Sequence, residues 1–175
     1  MNCQVDGRVE FRDLQFVDLD DKEFAAFRVN DGDLLFNRTN SFELVGRTAL
    51  FRSTRDAVFA SYLIRLALDQ RVLHPAFVNY FFNLPSTQRD LKRLASRGVS
   101  QANISASKLR GFRIPKPPTL LEQGGIADRV QAIDGKIAHH ERKRAVLQQL
   151  FKTLLHDLMT GRIRVGAETA GGDSG

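Results

Sequence analysis

Apolar and polar positions change rhythm twice along the 175-residue chain, dividing it into three parts. Across residues 1–67, short apolar runs alternate with turns. Leu34–Phe36, Leu44–Phe51 and Val58–Leu68 are rich in β-branched and aromatic residues and predict strands. Asp6-Gly7 and Asp31-Gly32 are turn dipeptides between them. Across 74–111 the spacing becomes helical. His74-Pro75 starts one helix with proline at its first position, and Phe77, Val78, Phe81 and Phe82 form its apolar face. Pro85-Ser86 opens a second, carrying Leu91 and Leu94. A polar loop, "RGVSQANIS" (97–105), follows, and Ser105 is placed to cap a short turn leading to Leu109. "FRIPKPP" (112–118) predicts one short edge strand ended by three prolines, which cannot donate to a ladder.

Beyond this boundary, Thr119 or its predecessor caps a helix, with Glu122 at the offset of a capping box. Ile126, Val130, Ile133, Ile137, Leu147, Phe151, Leu154 and Leu158 then recur at alternating spacings of four and three once His140 and Arg144 are included. That is an a/d heptad register over 33 residues, a helix about 50 Å long. Folding back on its own domain is the simple alternative. A domain of this size has a radius of gyration of about 14 Å, so a seam this long is expected to pair with a second helix. His140 and Arg144 weaken its middle while fixing register. Gly124-Gly125 predicts a kink or frayed start, Gly161 a stop, and the Gly-rich tail disorder. The expected organisation is a mixed α/β domain over 1–118, a coiled-coil-type helix over 119–160 and a disordered tail over 161–175, an α+β fold overall.

Composition adds a core led by thirteen Phe with no Trp. The single cysteine, Cys3, gives neither a disulfide nor a zinc spacing, which suits a reducing cytoplasm. Residues 1–30 show no signal peptide, and no apolar run reaches the roughly 18 residues of a membrane helix. His74, His139, His140 and His156 form no metal pattern, so neither metal nor cofactor is expected. Charge is uneven. Residues 1–37 carry four Lys/Arg against nine Asp/Glu (−5), 38–118 carry fourteen against four (+10), and 119–175 carry eight against seven (+1). A basic, Arg-rich block of this kind is the electrostatic footprint of a polyanion partner.

Catalytic constellations are missing from the sequence. There is no G-x-G-x-x-G, no G-x-x-x-x-G-K-[ST], no G-x-S-x-G and no His/Cys nucleophile pair. The Gly loop and Asn/Asp-Pro-Pro-aromatic motif of an adenine methyltransferase are absent too, and "PKPP" has no acid or amide before its prolines. The acids of "DLDDKE" (18–23) fit a solvated acidic loop, since nothing near them has ligand spacing. Two polar stretches remain, "NRTNS" (37–41) and "SQAN" (100–103). Arg can be bidentate to guanine and Asn or Gln to adenine, while Ser and Thr serve bases or phosphates. The same residues also favour turns regardless of function.

"GDLLFNRTNSFELVGRTALF", "FASYLIRL", "QANISASKLRGFRIPKPPTLLEQ" and "LMTGRIRV", in this order and spacing, resemble the specificity subunit of type I restriction–modification enzymes from about Gly32 to Val165. The resemblance implies a target recognition domain followed by a conserved spacer helix. A full subunit of this family has two of each, its helices pair antiparallel, and each domain reads one half of a bipartite double-stranded DNA target. Such a subunit holds two methyltransferase subunits and, through them, motor-nuclease restriction subunits, and those partners perform adenine methylation and cleavage. With one domain, one helix and only some thirty residues before "GDLLF", the chain is expected to be a half-subunit or the C-terminal part of a longer one. The resemblance and the basic block together place Arg38, Thr39, Asn40, Ser41, Arg47, Gln101 and Asn103 near DNA, with Arg65, Arg89, Arg93 and Lys108 on phosphates. The heptad residues are assigned to helix pairing, with a second copy as one candidate partner. The competing reading is a truncated interaction module that dimerises or docks through its helix, with little DNA binding of its own.

Overall fold

The computed structural model describes residues 7–11 and 14–165. Cys3 and the tail 166–175 lie outside the described residues. The chain divides into two compact units, Met1–Asp128 and Arg129–Gly175. The first unit is built on helices α1 (Asp21–Phe27), α2 (Pro75–Asn83), α3 (Pro85–Leu94) and α4 (Ala106–Arg110). Its strands are β1 (Leu34–Asn37), β2 (Thr39–Asn40), β3 (Thr48–Leu50), β4 (Leu63–Leu66), β5 (Ser96–Arg97) and β6 (Ala102–Asn103). Helix α5 (Leu120–Met159) starts in this unit and continues through the second. The mixture of helices and antiparallel sheets with a long C-terminal helix is an α+β fold.

The strands make two three-stranded antiparallel sheets, ordered β3-β1-β4 and β2-β6-β5. All four residues of β1 are buried. Successive side chains of a strand point to opposite faces, and here both faces are covered. Leu34 and Phe36 join a cluster with Val45, Val78, Phe82, Leu91, Ile104 and Leu109, whereas Leu35 joins Val29, Phe51 and Leu63. The outer edge of β3 is closed by side-chain and N-terminal backbone groups. Asn83 Nδ2 donates to the Thr48 carbonyl at 2.8 Å, the Thr48 N–H donates to Asn83 Oδ1 at 3.3 Å, and the Leu50 N–H donates to the Gly7 carbonyl at 3.0 Å.

Several sequence expectations change here, each for a local reason. The run Leu44–Phe51 is only partly a strand. The Leu44 and Val45 N–H groups both donate to the Ser41 carbonyl, and Gly46 has φ +87°, a left-handed conformation that favours glycine. The strand therefore begins at Thr48. The acids of 18–23 form a helix start in place of a loop. Asp20 accepts the Glu23 N–H at 2.7 Å as N-cap of α1, and Asp21 and Glu23 complement the dipole of its first turn. The expected edge strand in "FRIPKPP" is not formed, although Phe112 and Ile114 pack against the core cluster.

Helix α5 runs without interruption through Gly124-Gly125, where a kink or frayed start was expected. Its beginning is anchored from the side. Thr119 Oγ1 accepts the Glu122 N–H at 3.2 Å. Gln123 is fully buried; its Oε1 accepts the His74 N–H at 2.9 Å, while its Nε2 donates to the Val72 and Pro117 carbonyls, both at 3.2 Å. These bonds offset the roughly 1–2 kcal/mol that two glycines cost a helix. Gly161, at φ +71°, ends the helix, donating its N–H to the Leu158 carbonyl.

Candidate nucleic-acid interface

The two polar stretches, some sixty residues apart in sequence, meet in one sheet. Strand β2 pairs with β6 so that Thr39 faces Asn103 and Asn40 faces Ala102. Strand β5 pairs with the other edge of β6, Ser96 with Asn103 and Arg97 with Ala102. The expected loop "RGVSQANIS" is thus a β-hairpin. Its turn is closed by the Gly98 N–H donating to the Gln101 carbonyl at 2.7 Å, and Val99 at the tip is fully exposed. Strands of two residues are too short for an alternating pattern, which is why the sequence shows only a polar loop. Arg38 joins the two sheets through its backbone. Its N–H donates to the Tyr62 carbonyl and its carbonyl accepts the Ile104 N–H at 2.9 Å.

Within this small sheet the candidate side chains divide by what they already hold. Asn103 Nδ2 donates to Thr39 Oγ1 at 2.6 Å, a cross-strand clasp between the two stretches. Asn40 Oδ1 accepts the Ser41 N–H at 2.8 Å, so its carbonyl is spent on the turn. Ser41 also hydrogen-bonds the Glu43 carboxylate. Glu43's own N–H, the Ser41 bond and the charge of Lys92 hold that carboxyl below its ordinary range. The Nε of half-buried Arg38 is buried without a hydrogen-bond partner among the described residues. Gln101 is exposed, and Arg47 sits on the turn before β3.

The remaining basic candidates are spread more widely. Arg89 is exposed on α3. Arg93, also on α3, pairs with Asp90 at 2.8 Å. Arg65 lies on β4, where its guanidinium donates to the Arg28 carbonyl and stands 3.9 Å from the nearly buried Asp33 carboxylate. It braces the central sheet. Lys108 Nζ donates to the Leu94 carbonyl at 2.9 Å and to Ser96 Oγ at 3.3 Å, tying α4 to the start of β5. Arg38, Arg47 and Arg89 have no carboxylate within ion-pair distance among the described residues.

Three residues that the sequence did not single out complete the site. The Arg97 guanidinium lies over the Phe42 ring, 3.9 Å from its centroid, and Lys92 Nζ is 5.7 Å from the same ring. A cation over an aromatic face is attracted by the ring's quadrupole. Phe42 itself packs against the core cluster. Arg97 was visible as one base in a basic block, but a pairing across 55 positions leaves no local signature. What the site offers chemically is recognition. It presents amide, hydroxyl and guanidinium groups on a positively charged surface, and the described residues contain no group of three or more His, Cys, Asp or Glu able to hold a metal ion. No helix among them is long and apolar enough to cross a membrane.

In the second unit, the seam positions Ile133, Ile137, Leu147, Phe151, Leu154 and Leu158 are exposed, Phe151 at 66%. Ile126, in the first unit, and Val130, in the second, are partly covered. Leu147 and Phe151 line an open concavity with His140, Lys143, Arg144, Gln148 and Lys152.

Comparison with known proteins identifies the family. Residues 16–149 match the family model described as the type I restriction modification DNA specificity domain. The chain is 27% identical over 157 residues to a Methanocaldococcus jannaschii protein named as the type I restriction enzyme MjaX specificity subunit, covering 89% of this chain and 37% of that protein. It is 29% identical over 130 residues to the EcoKI specificity subunit of Escherichia coli K12, covering 73% and 28% of the two chains. It is 30% identical over 119 residues to the StySPI specificity subunit of Salmonella potsdam, covering 67% and 26%. The chain thus spans little more than a third, or less, of the length of these curated relatives. With the family model matching most of the sequence, the chain belongs to the family of type I restriction modification DNA specificity domains.

Proposed function

We propose that the chain is a non-catalytic DNA-reading module of a type I restriction–modification system, recognising one half of a bipartite duplex target. One observation carries this: the two polar stretches, the second within the hairpin β5–β6 that carries Arg97, converge on a single small sheet in the sequence block of charge +10. Arg38, Thr39, Asn40, Ser41, Arg47, Gln101 and Asn103 supply the polar surface of the site, and Arg89 adds charge for phosphate. Arg65, Arg93 and Lys108 already hold protein partners and contribute mainly by keeping the scaffold in place. The test is binding of the purified chain to a pool of randomised duplexes across a range of salt concentrations. Sequence-specific enrichment with a steep salt dependence is expected. Arg38→Ala combined with Asn40→Ala should abolish the preference, and unchanged enrichment by that variant would remove these two residues from the site.

The finer part of the proposal concerns α5. Projected at about 100° per residue, the apolar positions Ile126, Val130, Ile133 and Ile137 fall within roughly 60° of the helix circumference. In Val146–Met159 the apolar stripe widens to roughly 220°, and Val146, Leu147, Leu150, Phe151, Leu154, Leu155, Leu158 and Met159 are all exposed. A two-stranded seam needs only the narrow stripe. The wide one suits packing among several helices, which methyltransferase subunits, or a second copy of this chain, would supply. Methylation and cleavage are then carried out by those partner subunits. The reading as an interaction module rests on the same surface. Light scattering of the purified chain separates the two: a monomer at high micromolar concentration removes the second-copy partner and leaves the methyltransferase helices.

A further inference from the structure

The hairpin β5–β6 projects a fully exposed tip and is fixed at its base on both sides. Lys108 clamps the backbone at Leu94 and the side chain of Ser96, immediately before Arg97. The turn carrying Phe42 is fixed by the bonds to the Ser41 carbonyl, and its ring is seated on the core. Arg97 is the last paired residue of β5 before the tip, and its guanidinium carbon lies over that ring, 3.9 Å from the centroid. The cation–π contact restricts where the guanidinium sits and leaves N–H donors on its rim available. No protein group among the described residues accepts a hydrogen bond from them. A two-stranded ribbon is one of the few elements the major groove admits, and Arg bidentate to guanine O6 and N7 is the commonest specific contact there.

We propose that Arg97 is a guanine-reading residue of this site and that Phe42 is its positioning residue. The proposal rests on the DNA-reading function above. A guanidinium already held over a ring loses less rotamer freedom on engaging a base edge than a free Arg does. A phosphate can also accept the guanidinium fork bidentately, so what points to a base edge is the place of Arg97 at the end of a two-stranded ribbon, an element the major groove admits. The arrangement therefore favours base reading over backbone contact.

The test selects bound sequences from randomised duplexes with the full chain and its variants. Arg97→Lys keeps the charge but loses the fork. It should lose about tenfold preference for guanine at one target position while keeping the wild-type salt slope. Phe42→Leu should lose about threefold at the same position, and Phe42→Tyr, which keeps the ring, should retain the preference. Replacing that guanine by 7-deazaguanine, which lacks the N7 acceptor, should reproduce the loss in the wild type and add nothing in Arg97→Lys. Uniform weakening on all duplexes in Arg97→Ala, with a shallower salt dependence and an intact base preference, would assign Arg97 to phosphate and overturn the inference. Unchanged preferences in Arg97→Lys would overturn it too. If the wild-type chain enriches no sequence at all, the DNA reading itself falls; if it enriches sequences indifferent to Arg97, only this inference does.

Discussion

The β2-β6-β5 sheet and the last four turns of α5 solve opposite problems. In the sheet, half-buried polar side chains are tied down, Thr39 to Asn103 and Asn40 to the turn, and the exposed Arg97 lies over the Phe42 ring. In the helix, apolar side chains from Val146 to Met159 stand exposed, with no protein surface over them. The sheet is held together internally and leaves Arg97 and Gln101 exposed. The helix end is an unfinished one, because exposing a contiguous apolar stripe is unfavourable until something covers it. On the proposed function, recognition and assembly would occupy separate parts of the chain and draw on different forces, directional hydrogen bonds in one and area burial in the other.

If that contrast holds, substitutions in the two regions should separate cleanly. The largest effect is expected from Phe151→Glu combined with Leu154→Glu. Association with a helical partner, read as self-association by light scattering or co-purification with a co-expressed methyltransferase subunit, should drop by roughly a hundredfold or more. Thermal unfolding of the sheet-bearing unit should not move. Between the extremes lies the anchored start of α5. Gln123→Ala leaves the His74 N–H and two carbonyls without their buried partner, and should cost about 2–3 kcal/mol in denaturant unfolding. Self-association would survive it.

Within the sheet, effects should be smaller and should appear in base preference before stability. Thr39→Val removes the acceptor of the Asn103 amide, costing about 1 kcal/mol and loosening the junction of the two polar stretches. Proton exchange at Asn103 Nδ2 by NMR would report it. The smallest expected effect concerns Glu43, the single acid between Arg38 and Arg55. Its folded value lies below the ordinary 4.5, so ionised Glu43 favours the folded turn above that pH. The contribution fades as pH falls through the lower folded value. Melting curves of the wild type and Glu43→Gln should accordingly differ at neutral pH and converge in acid; a gap that widened in acid would reverse the assignment.

Much of this was legible in local pattern. Pro75, Pro85 and Ser105 mark the starts of α2, α3 and α4, and Thr119 with Glu122 marks that of α5. The start of α1 was missed. Asp20 and Glu23 have cap spacing, but the density of acids argued for a loop. The hairpin β5–β6 was not legible, because its strands are two residues long and are held by a third from residues 39–40. Nor was Arg97, since nothing beside it distinguishes it from the other bases of its block; only the Phe42 ring, brought from 55 positions away, does so.

The sequence by itself determined what depends on neighbours along the chain. Heptad spacing made α5, turn and cap residues set the limits of the helices, and the uneven charge marked the middle third for a polyanion. Tertiary structure decided what depends on pairing at a distance. It ran α5 unbroken through two glycines by burying Gln123 against residues near position 74. It turned two polar stretches into one clasped sheet, and it drew one arginine out of a basic block by giving its guanidinium a ring to lie on. Hydrogen bonds and stacking between remote residues leave no period in the sequence, because their geometry exists only once the core that carries both partners has formed.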